Sequence, residues 1–319
     1  MLLHLCKVGG YAKFTLNVKG GICMTKVISI NNFKGGVSKT STTAGIAYVL
    51  SKVKKKSVLV VDLDPQADLT DLLLKSFNRS ETNLLTEVLS SHDETLIDEK
   101  EDAILDALLS KSNTYNEKDL FHTLKDGISL KQCLIELNDQ LSLIPSDFNM
   151  IGFPYLLEDL GLNRVDGSRY FDSFLQEIKH NYDYILIDTP PTLSDFANNA
   201  IYACDYSLIV VQTHVRSFNA VEKLISHLST FRDLHRNNFA IAGILPVMFK
   251  NKGKIDTFIM KVLDRVYKDN VFKNKVFQRE RVKYWDVNGI KNEDMHDKNA
   301  LNMYVNITDE LIEKVEGDD

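Results

Sequence analysis

Cysteine is scarce in this sequence. There are four in 319 residues, Cys6, Cys23, Cys133 and Cys204, and no two form a CxxC pair. That spacing excludes a disulfide framework and a cysteine zinc site, and it suits a reducing compartment. The eight histidines are scattered, with no two in metal-ligand spacing. Long apolar runs are missing as well. The longest are short pieces such as Val58–Val61 and Leu208–Val211, far below the ~18 residues of a membrane helix. Near the N-terminus, His4 and Lys7 interrupt Leu2, Leu3 and Leu5, and no small-residue cleavage site follows. A secretory signal is therefore not expected. Internal repeats and low-complexity linkers are lacking too, and the expected compartment is the cytoplasm.

What is present is an ordinary globular composition: 44% apolar and 26% charged residues, with a formal net charge of −6. A disordered or fibrous chain is excluded, and the length allows a substantial core. Residues 1–23 carry little periodicity and read as a peripheral leader, with an extra edge strand over Tyr11–Val18 as the alternative. From Met24 onward a single domain is expected, over residues 24–319. Short apolar runs recur at Val27–Ile30, Val58–Val61, Leu141–Ile144, Tyr184–Ile187, Leu208–Val211 and Ile241–Leu245. Continuous runs of this kind suit parallel strands buried on both faces. Between them, Thr40–Val53, Phe171–Ile178 and Val221–Phe231 have helical spacing. The expected class is α/β: a doubly wound, mostly parallel sheet with helices on both faces. Residues 78–140 break the rhythm. Asp93, Glu94, Asp98, Glu99, Glu101, Asp102 and Asp106 make an acidic stretch, and Leu84–Leu89 and Ile104–Leu109 look helical. The stretch reads as a solvated helical insertion.

The strongest motif is Phe33-Lys34-Gly35-Gly36-Val37-Ser38-Lys39-Thr40-Ser41, placed after a strand and opening a helix. Glycines let the backbone approach a phosphate closely, and the helix N-terminus adds positive potential. Lys39 suits the β- and γ-phosphates, and the Thr40 hydroxyl is placed for Mg²⁺. Two further strands run into acidic residues, at Asp62-Leu63-Asp64-Pro65-Gln66 and at Asp188-Thr189-Pro190-Pro191. In such sheets ligands bind at the carboxyl ends of the strands.

Lys34-Gly35-Gly36-x-x-Lys39-Thr40 resembles the deviant Walker A motif of the ParA/MinD group of P-loop ATPases. Asp62-x-Asp64-Pro65-Gln66-Ala67 resembles switch I of the ParA branch, and Ile187-Asp188-Thr189-Pro190-Pro191 its Walker B and switch II. Leu143-Ile144-Pro145-Ser146 and Gly243-Ile244-Leu245-Pro246 occur at ParA-like positions, and the likeness covers roughly residues 24–282. It implies ATP and Mg²⁺ as cofactors, cradled by residues 34–41. Lys39 would bind phosphate in cis, while Lys34 would reach across a nucleotide-sandwich homodimer. Thr40 would ligate Mg²⁺, with Asp188 orienting it through water and Asp62 as an acidic neighbour on the metal side. Asp64 would position the attacking water. Ser38 departs from the pattern, standing where the family usually has glycine. A loop with φ > 0 there would be strained.

Between Phe249 and Lys283 there are eleven basic residues, Lys250, Lys252, Lys254, Lys261, Arg265, Lys268, Lys273, Lys275, Arg279, Arg281 and Lys283, against four acidic ones. The window carries +7 and the rest of the chain −13. Clustering of this kind is the footprint of phosphate-backbone binding. With the resemblance, it implies non-specific DNA binding by an ATP-loaded, nucleoid-associated dimer, released by a ParB-type centromere-binding partner. About thirty residues precede the phosphate loop, too few for a helix-turn-helix domain, so operator binding is not expected. The alternatives are a ParA-like ATPase that positions a protein cargo and a MinD-like membrane-cycling ATPase. The second needs a basic amphipathic C-terminal helix; instead Asp309, Glu310, Glu313, Glu316, Asp318 and Asp319 crowd that end.

Overall fold

The computed structural model describes residues 7–8, 11–12, 25–32, 34–77, 119–250 and 253–317. Lys7–Val8 and Tyr11–Ala12 pair antiparallel as a two-stranded ribbon separate from the central sheet.

The central sheet is built from strands whose sequences are apolar without alternation. They are β1 (Lys26–Asn31), β2 (Val58–Asp62), β3 (Ile135–Asn138), β4 (Leu141–Ile144), β5 (Tyr184–Asp188), β6 (Tyr206–Gln212) and β7 (Ala240–Val247). Their order is β3-β4-β2-β5-β1-β6-β7, parallel throughout except for β3, which runs antiparallel to β4 at one edge. The pleat sends alternate side chains to opposite faces. Val58 and Val60 enter one hydrophobic core, and Leu59 and Val61 enter the other. Both faces therefore need cover, which explains why the strands read as continuous apolar runs.

The first face is covered by α1 (Lys39–Tyr48), α2 (Asp68–Ser76) and the C-terminal helix α9 (Met295–Glu316), around Trp285. A Cβ on Gly45 of α1 would lie 2.6 Å from the Tyr304 ring of α9, so only glycine permits this approach. The second face is covered by α3 (Leu120–Lys125), α4 (Phe153–Asp159), α5 (Tyr170–Leu175), α6 (Asp195–Ala203), α7 (Val215–His235) and α8 (Lys254–Tyr267). Helices lie on both faces, as the strand–helix alternation predicts.

Two expectations differ from the structure. The helix expected over Thr40–Val53 is α-helical only to Tyr48 and continues as a π turn over Val49–Val53. The region from 119 to 140 is not a solvated helical insertion. It holds α3, a 3-10 turn and the edge strand β3, and buries Leu120, Leu124, Leu130 and Cys133 in the second core. The helical expectations at Leu84–Leu89 and Ile104–Leu109, and Asp93 through Asp106, lie outside the described residues, as do Cys6 and Cys23 and the edge-strand alternative beyond Ala12. Asp309, Glu310, Glu313 and Glu316 belong to α9, whose Ala300, Leu301, Tyr304, Ile307, Leu311 and Val315 are buried in the first core; Asp318 and Asp319 lie outside the described residues. No helix among the described residues is long and apolar enough to cross a membrane.

Candidate nucleotide site

Three neighbouring parallel strands deliver the site. β1 ends in the loop of residues 32–38 before α1, while β2 and β5 end on Asp62 and Asp188, which stand opposite each other in register. The loop reverses the chain through Gly36 at φ +69° and Ser38 at φ +54°. Ser38 thus occupies the left-handed region that its sequence position foreshadows, at a cost on the order of 1 kcal/mol. Val37 is buried, and Asn32 Oδ1 accepts the Lys34 N–H at 2.8 Å, which fixes the loop's start.

Lys39 is buried at the first turn of α1. Its ammonium donates to the Thr189 carbonyl and lies 3.4 Å from Asp188 Oδ1. The Thr40 hydroxyl donates to Asp188 Oδ2 at 2.8 Å. A cation, a hydroxyl and a buried carboxylate therefore meet at one helix N-terminus. Lys34 is exposed, with its ammonium 3.3 Å from Gln212 Oε1 at the end of β6. Residues 34–41 line an open cavity of ≈ 540 Å³ together with Asp64, Asp68, Asp71, Lys75, Pro191 and Asp286. That size accommodates a nucleotide. Backbone N–H groups, a helix N-terminus and two lysines can bind a polyphosphate there. Thr40, with Asp188 behind it, fits a divalent cation bridged to phosphate. Among the described residues no cluster of three His, Cys, Asp or Glu side chains forms a self-contained metal site.

The two switch I carboxylates differ. Asp64 is half-buried at the cavity wall; burial pushes its pKa up, partly offset by the Gln66 N–H and Lys39. Asp62 is fully buried, and its pKa is pushed up to about 8 by burial and by neighbouring Asp188. Both its oxygens are bonded, one to the switch I backbone and one to Thr70 of α2. Oδ1 accepts the Asp64 N–H at 3.0 Å, and Oδ2 accepts the Thr70 N–H at 3.0 Å and the Thr70 hydroxyl at 2.8 Å. Asp62 does not line the cavity; it stands beside Asp188 as that carboxylate's acidic neighbour. Its carboxylate holds the Asp64 loop to the start of α2.

Asp68, Asp71, Lys75 and Asp286 also line the cavity, and no motif marks them. The first three lie on α2, which follows switch I directly, so their distance from Asp64 along the chain was a usable signal. Asp286 comes from 211 residues away, where its carbonyl accepts from the Lys75 ammonium at 2.7 Å, and nothing in the sequence marks that approach.

Comparison with known proteins identifies the family. The family model described as an AAA domain matches residues 25–241. The chain belongs to the ParA family of P-loop ATPases. A virulence-plasmid ParA family protein of Chlamydia psittaci is 26% identical over 251 residues, which is 79% of this chain and 80% of the relative. The sporulation initiation inhibitor protein Soj of Bacillus subtilis is 25% identical over 259 residues, 81% of this chain and 87% of the relative. Among solved structures, an ATP complex of a Cyanothece McdA variant matches with TM-score 0.68 and 19% identity, covering 92% of this chain and 96% of that one. A plasmid partition protein of Borrelia burgdorferi matches with TM-score 0.63 and 21% identity, covering 91% and 99%. These last two are likenesses of fold, and their coverage of this chain is wider than that of the family model.

In the basic segment the cations are not equivalent. Arg281 is bound on the molecule, 2.5 Å from both Asp294 and buried Asp297. Lys283 pairs with Glu280 at 2.8 Å, and the Lys275 ammonium lies 5.7 Å over the Phe249 ring. Lys250, Lys254, Lys261, Arg265, Lys268, Lys273 and Arg279 are exposed, and Lys252 lies outside the described residues.

Proposed function

We propose that this chain is a Mg²⁺-dependent ATPase of DNA partition, one that binds DNA without sequence preference as an ATP-loaded homodimer. The observation that carries the reading is the meeting of Lys39, Thr40 and Asp188 beside Asp64 at the carboxyl edge of the sheet. Residues 34–41 hold the triphosphate of ATP, with Lys39 on the β- and γ-phosphates. Thr40 holds Mg²⁺, with Asp188 behind it. When bound, Mg²⁺ neutralises charge on the terminal phosphates. Asp64 accepts a hydrogen bond from the attacking water and orients it in line. Lys34, exposed and held by a single amide contact, is free to swing toward a second copy and add positive charge where it develops. Because one lysine comes from each subunit, hydrolysis requires the dimer.

The exposed cations of the basic segment supply the DNA contact, through phosphate charge alone. A ParB-type centromere-binding protein stimulates hydrolysis and releases the dimer, and the ATP-bound form is cytoplasmic and nucleoid-associated. The membrane-cycling alternative has little support, because the apolar face of α9 is consumed in the core. Residues 24–319 act as one ATPase unit, with 1–23 peripheral.

The test is ATP hydrolysis and DNA binding by the wild type and Asp64→Ala. The variant should bind nucleotide and DNA but lose roughly a hundredfold in turnover. Turnover at the wild-type rate sinks the assignment of Asp64, and a DNA affinity indifferent to ATP at low salt sinks the partition reading.

A further inference from the structure

The carboxyl end of β6 touches the nucleotide loop on one side and the basic segment on the other. Gln212 Oε1 lies 3.3 Å from the ammonium of exposed Lys34. The next residue, Thr213, is buried, and its hydroxyl donates to Asp256 Oδ1 in the first turn of α8. The chain is tightly folded between these two contacts. The His214 N–H donates to the Gln212 carbonyl at 2.8 Å, which closes a γ-turn about Thr213. The start of the phosphate loop is tied to the same strand. The Asn32 amide donates to the Val210 carbonyl at 2.6 Å, and Asn32 Oδ1 accepts the Lys34 N–H. The loop lysine and the basic helix therefore meet on adjacent residues.

Asp256 is placed to control how α8 sits. It begins the stripe Asp256, Met260 and Leu263, at spacings of four and three, and the last two are buried. Side chains at such spacings share one helix face, so the Thr213 contact and the apolar contacts together fix the rotation of α8 about its axis. At 3.6 residues per turn, Lys254, Lys261 and Arg265 fall on the opposite face, and all three are exposed. The rotation of the helix thus sets where its cations point. Asp256 Oδ1 also accepts the Lys250 N–H at 3.3 Å, just beyond β7. A Cβ on Gly253 would collide with the Asp256 carboxylate, so alanine there would push that carboxylate away from Thr213. A hydroxyl, a carboxylate and a glycine form one latch at the start of α8.

We propose that the Thr213–Asp256 latch couples the nucleotide loop to the cationic face of α8. When Lys34 leaves Gln212, the turn about Thr213 is released on one side, and the latch passes that change to the angle at which Lys254, Lys261 and Arg265 are presented. The inference rests on the proposed role of Lys34, which swings toward a second copy. Thr213 and Asp256 are positioning residues that touch neither nucleotide nor DNA. Lys34 gives up one exposed contact, whereas the Thr213 hydroxyl is shielded from water, where a hydrogen bond is electrostatically stronger. The link therefore outlasts the motion that it transmits.

The test compares DNA affinity of the full chain with and without non-hydrolysable ATP and Mg²⁺, by fluorescence anisotropy. Hydrogen exchange of the amides of residues 254–261 is followed under the same two conditions. In the wild type the nucleotide should change both readouts, the affinity by about tenfold. Thr213→Val, Asp256→Ala and Gly253→Ala should each bring the affinity ratio toward 1 and remove the exchange difference, with nucleotide affinity retained. Thr213→Ser should restore both. Gln212→Ala combined with Asp256→Ala should lose no more coupling than either alone, because both cut one path. Thr213→Val keeps volume, and unchanged thermal melting certifies its fold. The proposal is overturned if Thr213→Val and Asp256→Ala keep the wild-type ratio, if they weaken DNA binding equally with and without nucleotide, or if the losses of the double variant add. A wild type whose DNA affinity ignores nucleotide sinks the partition reading instead. The latch is then judged by hydrogen exchange alone, and a wild-type α8 indifferent to nucleotide overturns it.

Discussion

The phosphate-loop edge and the basic segment both announce themselves in the sequence, yet they behave differently in the fold. At the loop, neighbours in sequence remain neighbours in space. Lys39 and Thr40 open one helix, and the strand ends bring Asp62 and Asp188 alongside by register. In the basic segment eleven cations share a window of 35 residues, but the fold divides their labour. Arg281 is spent on Asp294 and Asp297 within the molecule, while Lys261 and Arg265 face solvent on α8. Spacing reveals chemistry where backbone geometry fixes the side chains. Where long side chains choose among partners, it reveals only a total.

The sharpest way to break this contrast is Lys39→Ala. A buried lysine held by Asp188 and Thr189 has no substitute, so ATP turnover should fall at least about a hundredfold, measured by phosphate release. Retained turnover would mean that the loop is scaffolding. Next in size is Arg281→Gln, set against Lys261→Gln/Arg265→Gln. The first strands buried Asp297 and should cost roughly 2 kcal/mol of stability, read from urea unfolding. The second should leave stability unchanged and lower the slope of log affinity for DNA against log salt by about 1 per cation removed.

The Arg281 pair also makes a statement about pH. Burial alone would raise the Asp297 pKa, but Arg281 and the backbone N–H groups of Glu293 and Asp294 outweigh it and hold the carboxyl below its ordinary value. A carboxyl whose folded pKa is depressed contributes stability above its unfolded pKa and loses it as pH falls through the folded one. Wild-type stability should therefore drop below about pH 4, and Arg281→Gln should show a smaller drop.

A smaller effect sharpens the loop side. Thr70→Val keeps volume but removes the hydroxyl that links Ser146 to Asp62. Turnover should fall about tenfold with nucleotide affinity intact, and Thr70→Ser should restore it. Equal loss in both variants would reduce Thr70 to packing. Smallest is Ser38→Gly, which relieves φ +54° and should add at most about 1 kcal/mol, visible as a raised urea midpoint.

Much of the architecture was legible because parallel strands buried on both faces leave unbroken apolar runs. β4 appears at the expected residues, and β1, β2, β5, β6 and β7 extend theirs by one to three residues at their ends. β3 was not legible. Only Leu137 of its four residues is buried, so an edge strand paired on one side writes no run. The region from 119 to 140 was misread for a related reason. Its apolar residues are spread over a helix, a turn and a strand, and no single period joins them.

By itself, the sequence determined the α/β class and the excess of positive charge near residue 265, and it marked the phosphate loop, Lys39, Thr40, Asp64 and Asp188 as candidate site residues. Each follows from local backbone geometry, which neighbouring residues alone can set. The tertiary structure decided that Asp62 ties the Asp64 loop to Thr70, that Asp286 closes the cavity wall beside Lys75, that Arg281 pairs within the molecule, and that Phe148, Ile151 and Tyr155 are exposed. Those outcomes depend on which distant groups arrive first at a donor, a carboxylate or an apolar face, and chain spacing carries no record of such meetings.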